Sequence, residues 1–398
     1  LSPIMSQIAS LLSRPSAWLN SPGSHGGIVI SSRVRLARNV DGFAFQRKLS
    51  KVRQQELVDH LRATVDAVAV LPNSLSLKLD SLSDLERQAL VERQLISRDL
   101  AGGKRPAGVY ISSDEIHSLM FNEEDHLRLQ VISAGLCVNA NLEMAIQLDR
   151  KLEKALPWSS HPEYGYLTAC PTNVGTGLRA SVMLHLPALV ETGEFKQVMR
   201  SLSKLHMTVR GLHGEGSEPS GHFYQISNQR ALGMSEQQLV DHLNETVERI
   251  IAYEQLARQA LMTKGRLKLD DKIHRAWGLL THARVLTSDE LTDHLSWVRL
   301  GVGLRLLSWH NWKMLDKIFL QCQPAHIQLL NAEAADVEAR DRLRADLDQN
   351  DTLTSFKLAD PCSTNLPTAR ARSSLWLKKR PSVFTTIISA PSICCWGW

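Results

Sequence analysis

Five arginines are the residues of this chain whose type and spacing best suggest chemistry. Arg33 and Arg35 lie two residues apart in S-S-R-V-R, Arg128 closes N-E-E-D-H-L-R, Arg179 follows the turn in C-P-T-N-V-G-T-G-L-R-A-S, and Arg210 precedes G-L-H-G-E. Arginine makes planar, bidentate contacts with phosphate oxygens. Converging arginines would suit a nucleoside triphosphate, because phosphoryl transfer depends mainly on positioning and charge neutralisation. Each one alone is equally consistent with a solvated surface charge.

Two acids and a cysteine complete the candidate set. Glu124 belongs to three consecutive acids, which repel one another, and Glu215 lies between two glycines in a predicted loop. Carboxylates facing a cationic substrate could orient it and accept a proton; the alternative is a pair of solvated acidic turns. Cys170 would become a thiolate beside arginines or a cationic substrate, and is otherwise a small buried apolar residue.

The first arginine pair needs a strand to position it. Residues 28–36, I-V-I-S-S-R-V-R-L, are rich in β-branched residues and predict a strand. Strand alternation then sends Ser31, Arg33 and Arg35 to one face, with the two arginines about 7 Å apart, and Ser32, Val34 and Leu36 to the other.

The remaining elements predict a mixed α+β body followed by helices. Apolar spacing predicts a helix over 50–70, with a stripe that includes Val52, and further helices over 83–96, 140–156, 235–262, 270–281, 288–308 and 332–348. V-Y-I-S-S, M-T-V-R-G-L and H-F-Y-Q-I-S-N predict strands. In N-E-E-D-H-L-R a strand would align Glu124 with Arg128 on one face, and a helix would pair them as well.

Composition indicates a globular protein whose excess charge is confined to one end. The 398 residues carry a net charge of +5 at pH 7, and that excess resides in residues 352–398, so it does not indicate nucleic-acid binding by the body. The six cysteines include no C-x-x-C pair and indicate a reduced, cytoplasmic protein without a zinc site. We find neither a G-x-x-x-x-G-K-S/T loop nor a dinucleotide-binding glycine pattern.

Five motifs together resemble a known family. C-P-T-N-V-G-T-G-L-R-A-S resembles the signature of the ATP:guanido phosphotransferases, which include the creatine and arginine kinases. S-S-R-V-R-L-A-R-N, N-E-E-D-H-L-R, R-G-L-H-G-E-G-S-E and I-S-N-Q-R-A-L-G resemble that family's other blocks, in the same order. The bacterial protein-arginine kinase branch is the closer match. The resemblance covers residues 16–346 and implies an α+β fold, an antiparallel β-sheet flanked by helices, followed by a small all-helical domain.

The resemblance also implies domains and site residues. We expect a catalytic domain over 16–262, a helical dimerisation domain over 263–349 and a disordered basic tail over 350–398. Glu124, as base, and Glu215 would bind the substrate guanidinium, with Cys170 beside them. The implied ATP-binding residues are Ser31, Ser32, Arg33, Val34, Arg35, Arg128, Arg179, Ala180, Ser181, Val182, Met183, Arg210, Gly211, Leu212, His213 and Gly214. Mg²⁺ would be held through ATP, with no dedicated protein ligand, and the glycines of the 170–181 motif would let backbone approach phosphate.

A second match and one departure complete the comparison of motifs. R-D-R-L-R-A, residues 340–345, resembles a motif with which this branch reads phosphoarginine allosterically, through Arg340, Asp341, Arg344 and Ala345; the alternative is a charged helix face. Gln94 stands where the resemblance leads us to expect a histidine near the nucleotide.

The implied function is phosphorylation of arginine side chains in proteins. Family analogy makes that product a degradation mark of the stress response, with a Clp ATPase, a zinc-binding activator and a heat-shock repressor as partners, and makes the protein a homodimer. The alternatives are a kinase of free arginine or another small guanidino compound, and a non-catalytic phosphoarginine-binding adaptor.

Overall fold

The structure is a computed structural model that describes residues 3–14, 16–19, 25, 27–211, 220–307, 312–331, 334 and 336–348. The predicted tail over 350–398 and four predicted site residues, Leu212, His213, Gly214 and Glu215, lie outside the described residues. Among the residues described, no helix is long and apolar enough to cross a membrane.

An antiparallel sheet of eight strands forms the centre of the fold. Its strands run in the order β2-β3-β4-β5-β1-β8-β10-β9, and a separate two-stranded ribbon, β6–β7, lies outside it. The strands are β1 (Val29–Arg38), β2 (Leu75–Lys78), β3 (Gly108–Ile111), β4 (His117–Phe121), β5 (Leu127–Ala134), β6 (Ser160–His161), β7 (Gly165–Tyr166), β8 (Leu178–His185), β9 (Met207–Gly211) and β10 (Phe223–Asn228).

Helices flank the sheet and make up the C-terminal part. They are α1 (Pro3–Leu12), α2 (Lys51–Val68), α3 (Asp84–Glu92), α4 (Arg98–Gly102), α5 (Val138–Glu153), α6 (Pro187–Glu191), α7 (Phe195–Lys204), α8 (Glu236–Lys264), α9 (Arg266–His282), α10 (Ser288–Gly303), α11 (Trp312–Gln321), α12 (Pro324–Leu330) and α13 (Val337–Asp348). The predicted α+β class, with an antiparallel sheet and a helical C-terminal region, is confirmed.

Local sequence explains where the principal helices begin. Ser83, Ser235 and Thr287 each accept a hydrogen bond from the backbone N–H three residues on, and the Glu or Gln at that position bonds back to the cap. This reciprocal arrangement satisfies two of the backbone donors that a helix start leaves open. These helices therefore begin directly after their N-capping residues.

One face of the sheet packs on the main apolar core. Val34 and Leu36 of β1 lie on this face with apolar residues of β5, β8 and β10, and α2, α5 and α8 cover them. The opposite face is polar in its middle. At one end Ile30, Met183 and Phe223 lie on it, covered by Trp18 and Phe319.

The helical part has its own core and contacts the sheet domain at several points. Helices α9, α10, α11 and α13 bury their own apolar cluster, which includes Ile273, Leu291 and Val298. At the start of α12, Glu92 accepts hydrogen bonds from the backbone N–H groups of Ala325 and His326, at 2.9 and 3.1 Å. Another contact is at α10, where Asp293 accepts from the backbone N–H of Gly221 at 2.8 Å.

Three sequence-based expectations need correction. Val52 is 69% exposed and does not belong to the buried stripe of α2, because the helical period places it on the opposite side of the helix from the buried Leu61. Helix α3 ends at Glu92 rather than 96, because Gln94 takes a left-handed backbone conformation with φ +63°. The last helix begins at Val337 rather than 332, and α11 and α12 were not predicted.

A buried ion pair fixes the end of β1. Two guanidinium nitrogens of Arg38 donate to the carboxylate of Asp149 on α5, the shortest contact being 2.6 Å. The same guanidinium donates to the backbone carbonyls of Ala37 and Thr176 and lies 3.6 Å from the ring centre of Tyr166. Arg38 thereby ties α5 and the 170–177 loop to the central strand.

Asp149→Ala should lower the free energy of unfolding by about 3 kcal/mol, because it leaves a buried guanidinium without its carboxylate. Glu56→Ala is the matched control, since its pair with Arg53 is half exposed on both sides and should contribute less than about 0.5 kcal/mol. Urea unfolding followed by circular dichroism measures both, and equal effects would contradict a structural role for the Arg38 pair.

Candidate active site

The five candidate arginines converge on the polar face of the sheet. Arg33 and Arg35 come from β1, Arg128 from β5, Arg179 from β8 and Arg210 from β9. The register places Arg35 directly opposite Arg179, and Arg210 opposite Gln225, to which Arg33 reaches. The sequence alone could not establish this convergence, because the strand order in the sheet, β5-β1-β8-β10-β9, differs from the order of the strands along the chain.

This crowding makes the cluster strongly electropositive. Burial, followed by repulsion from Arg128, Arg179 and Arg210, lowers the pKa of Arg33 to about 10. Burial and repulsion from Arg33, Arg128 and Arg179 also hold the pKa of Arg35 well below its ordinary value. At neutral pH Arg33 still carries its proton. The cluster is therefore a site where an anion would relieve repulsion.

The two β1 arginines have no carboxylate partner in the described chain. Arg33 donates to the side-chain oxygens of Gln94 and Gln225, at 3.1 and 2.6 Å, and Gln130 fixes Gln94 by donating to its backbone oxygen at 2.7 Å. Within the described ranges, the side chain of Arg35 makes neither an ion pair nor a hydrogen bond. Gln225 and Gln130 are site residues that the sequence analysis missed.

The motif N-E-E-D-H is an irregular turn between β4 and β5, neither the strand nor the helix weighed from sequence. Asn122 opens it with φ +57°. Glu123 is buried and pairs with Arg128 at 2.5 Å while accepting a hydrogen bond from Ser97 at 2.6 Å. Glu123 thus holds Arg128 in the cluster, a role that sequence reasoning did not assign.

Glu124 is the acid of this turn that remains accessible. Its side chain is 32% exposed, and its carboxylate lies 3.5 Å from the guanidinium of Arg128. Burial raises its pKa above the ordinary value; Asp125 and Glu123 add to this, whereas Arg128 and Arg47 act in the opposite direction. A raised pKa makes this carboxylate a stronger base beside the arginine cluster.

Asp125 joins this turn to the loop that carries Cys170. One carboxylate oxygen accepts from Asn39 and from the backbone N–H of Ala169, both at 2.7 Å. His126 accepts from the backbone N–H of Val40 through Nδ1, and its Nε2 then donates to the carbonyl of Ala44. Both side chains are buried, so the two loops and the end of β1 are held together.

Cys170 is half-buried at the start of a short 3-10 turn over Pro171–Asn173. Its Sγ lies 3.1 Å from Oγ1 of Thr172. Ala169, the residue before Cys170, is hydrogen-bonded to Asp125, the residue after Glu124. The structure therefore brings Cys170 and Glu124 to neighbouring loops.

The glycines of the 170–181 motif have a packing role that the sequence analysis did not predict. A Cβ on Gly177, at φ +66°, would lie 2.6 Å from the carbonyl oxygen of Ala37, and one on Gly175 would lie 2.7 Å from that of Ala231. Both glycines thus allow the protein's own backbone segments to pack closely. That these glycines also let backbone approach phosphate stays a prediction.

Strand alternation separates the predicted ATP-binding residues into two groups. Ser181 lies beside Arg33 on the arginine face, and Gly211 ends β9 next to Arg210. Ser31 and Met183 lie on the same face towards its apolar end. The side chains that point to the opposite, core side are Ser32, Val34, Ala180 and Val182, so the structure does not bring them to the cluster.

The predicted phosphoarginine residues lie on α13, and two of them are buried. Arg344 donates to the backbone carbonyls of Cys322 and Leu286, at 2.9 and 2.6 Å, and pairs with Asp341. Ala345 is in the core, whereas Arg340 reaches Gln328 at 3.0 Å. Arg344 thus ties α13 to two neighbouring turns, a structural role that its motif did not reveal.

Comparison with known proteins assigns the family. The sequence-family model of the ATP:guanido phosphotransferase C-terminal catalytic domain matches residues 58–257. The family model of the protein-arginine kinase McsB C-terminal domain matches residues 266–360. Fold and site thus define a guanidino kinase that uses ATP.

Similar proteins narrow the class. The protein-arginine kinase of Moorella thermoacetica is 42% identical over 337 residues, which are 84% of this chain and 96% of the relative. That of Halalkalibacterium halodurans is 39% identical, over 83% of this chain and 94% of the relative. The chain therefore belongs to the protein-arginine kinase family of ATP:guanido phosphotransferases.

Solved structures agree on the fold. The duplicated taurocyamine kinase of Schistosoma mansoni, solved with transition-state analogue components, is 27% identical with a TM-score of 0.53, over 61% of this chain and 35% of that one. Lombricine kinase is 24% identical with a TM-score of 0.50, over 61% of this chain and 70% of that one. The predicted guanidino-kinase fold is confirmed.

Arg35→Gln should stabilise the ligand-free protein while weakening ATP binding. Removing a like charge opposite Arg179 should raise Tm by about 1–2 °C, and losing a charge-assisted phosphate contact should weaken ATP binding about 10- to 100-fold. Differential scanning fluorimetry with and without ATP measures both. Arg249→Gln, at an exposed position of α8, is the matched control. A lower Tm with an unchanged ATP response would contradict the repulsion argument.

Proposed function

We propose that this protein transfers the γ-phosphoryl group of ATP to arginine side chains of proteins. The observation that carries the proposal is the arginine cluster beside Glu124, because it places an anion site next to a base of raised pKa. The chemistry requires both, since a phosphoryl donor is anionic and a guanidinium holds its proton above about pH 12.

The arginines are the proposed ATP ligands. Arg33 and Arg35 lie in the middle of the face, where bidentate contacts can span neighbouring phosphates, and Arg128, Arg179 and Arg210 surround them. Mg²⁺ would bridge phosphate oxygens and offset their charge. We propose that it is held through ATP, because Glu123 and Asp125 are already engaged by Arg128, Asn39 and Ala169.

Glu124 is the proposed general base. Its carboxylate takes one proton from the substrate guanidinium, whose nitrogen then forms a bond to the γ-phosphorus as the bond to the ADP oxygen breaks. Cys170, on the adjoining loop, would contact the same guanidinium. Glu215, which lies outside the described residues, is proposed as a second carboxylate that orients it.

The protein-bound acceptor is proposed from the relatives. Proteins about 40% identical over nearly their whole length are named protein-arginine kinases. The C-terminal family match extends the likeness into the helical part. We further propose the domain division at about 262, a homodimer, a phosphoarginine response through Arg340 and Asp341, and the activator, repressor and Clp ATPase as partners in marking proteins for degradation.

The deciding assay offers Mg-ATP with casein or with free arginine. Acid-labile phosphate, mapped by mass spectrometry on casein arginines, is the expected result. Glu124→Gln should reduce the rate at least about 100-fold, as expected for loss of a general base. Glu143→Gln, at an exposed position of α5, should keep full activity.

Other outcomes of this assay discriminate among the alternatives. Labelling of free arginine alone would make the protein a kinase of small guanidino compounds. ATP binding with no label on either acceptor, with activator supplied, would favour the non-catalytic adaptor.

The acid limb of the pH–rate profile should report Glu124. Only the carboxylate form accepts a proton, so kcat/KM should fall as pH drops through a pKa above that of an ordinary glutamate. Arg47→Gln removes an exposed cation that lowers this pKa, so the limb should move to higher pH. Lys48→Gln, which makes the same charge change one residue on, should leave it in place; identical shifts would disprove the assignment.

A further inference from the structure

An open groove of about 560 Å³ lies beside the Cys170 loop. The β6–β7 ribbon lines one side, and residues 231–236, leading into α8, line the other. Gly175 and Thr176, which belong to the loop that starts at Cys170, also line it. The groove and the proposed catalytic thiol are thus built on the same loop.

The groove is acidic. Glu153, Glu163 and Glu236 line it, and no lysine or arginine is among its described lining residues. Glu153 accepts a hydrogen bond from the hydroxyl of Tyr166 at 3.3 Å, whereas Glu163 and Glu236 have no cationic partner within the described part of the chain. A cationic ligand would find unneutralised carboxylates on both sides.

The groove also exposes apolar surface. Tyr164, Leu232 and Met234 are 47%, 53% and 41% exposed, and Tyr164 stacks on His161 at 4.8 Å. Large apolar side chains gathered in a concave surface indicate a binding site more than isolated ones do. An aromatic ring with carboxylates nearby suits a guanidinium or ammonium group with its apolar stem.

The groove is held in shape by its own backbone contacts. Tyr166 and Gly175 exchange two backbone hydrogen bonds, at 2.8 and 3.2 Å, and Arg38 supports the ring of Tyr166 from below. A Cβ at Gly165 would lie 2.6 Å from the carbonyl oxygen of Gly175, so the ribbon packs closely on the loop. A preformed groove spares a ligand the cost of ordering it.

We propose that this groove binds an arginine- or lysine-bearing segment of the protein substrate, next to the arginine that is phosphorylated. Charge complementarity and exposed apolar side chains select a basic segment that also carries apolar residues. The proposal rests on the proposed kinase function and adds where a macromolecular substrate docks. A single arginine is too short to use the groove.

The test measures binding and catalysis separately, on the full chain. A fluorescein-labelled peptide of alternating arginine and leucine is titrated without ATP and followed by anisotropy. Glu163→Gln/Glu236→Gln should raise its Kd about 5-fold, the effect of losing two exposed ion pairs. Glu245→Gln/Glu248→Gln, at exposed positions of α8, makes the same charge change away from the groove and should leave Kd unchanged. High salt should remove the difference.

Phosphorylation of acetyl-arginine methylamide should be unaffected by both double variants, whereas KM for the peptide should rise only in the groove variant. Tyr164→p-benzoylphenylalanine should cross-link the peptide under ultraviolet light. Equal effects of the two double variants, no peptide binding, or no cross-link would contradict the proposal that the groove binds the substrate. Cross-linking and selective loss of binding, with neither substrate phosphorylated, would instead retain the groove and reject the kinase function.

Discussion

The central constraint on this structure is the crowding of like charges on one face of a sheet. Arg33, Arg35 and Arg179 lie on adjacent positions of β1 and β8. Burial, followed by repulsion from Arg128 and Arg179 among others, lowers the pKa values of the two β1 arginines. Such a face opposes folding. The apolar face on the other side of the same strands, packed by α2, α5 and α8, must supply the compensating stability.

The loops around the cluster are fixed by buried polar side chains, not by regular structure. Glu123 holds Arg128, Asp125 holds the loop of Cys170, and Arg38 holds that loop from the other side. Each buried charge has a partner whose loss would leave it unsatisfied, which is why such positions tolerate change poorly. Glu124 remains accessible, whereas its neighbours Glu123 and Asp125 are buried and make the contacts that hold the turn in place.

Part of this site was predictable from sequence, and the reason for the rest is physical. Period-two alternation correctly placed Arg33 and Arg35 opposite Val34 and Leu36. The same rule places the side chains of Ser32 and Val182 on the core face once β1 and β8 are known to pair. The convergence of Arg128 and Arg210 depends on strand order, which local spacing does not encode. Gln225 gave no signal, because a neutral amide does not by itself indicate a particular chemistry.

The helical part is connected to the arginine cluster through a short series of contacts. His326 at the start of α12 is buried against Glu92, with its Nδ1 2.8 Å from the carboxylate. Gln94 follows Glu92 by two residues in the chain. Its side-chain oxygen accepts a hydrogen bond from Arg33, and its backbone oxygen accepts one from Gln130. Residues 92–94 therefore connect the start of α12 to an arginine of the proposed anion site. Gln94 suits this position, because its neutral amide oxygen accepts from Arg33 and adds no positive charge beside the five arginines.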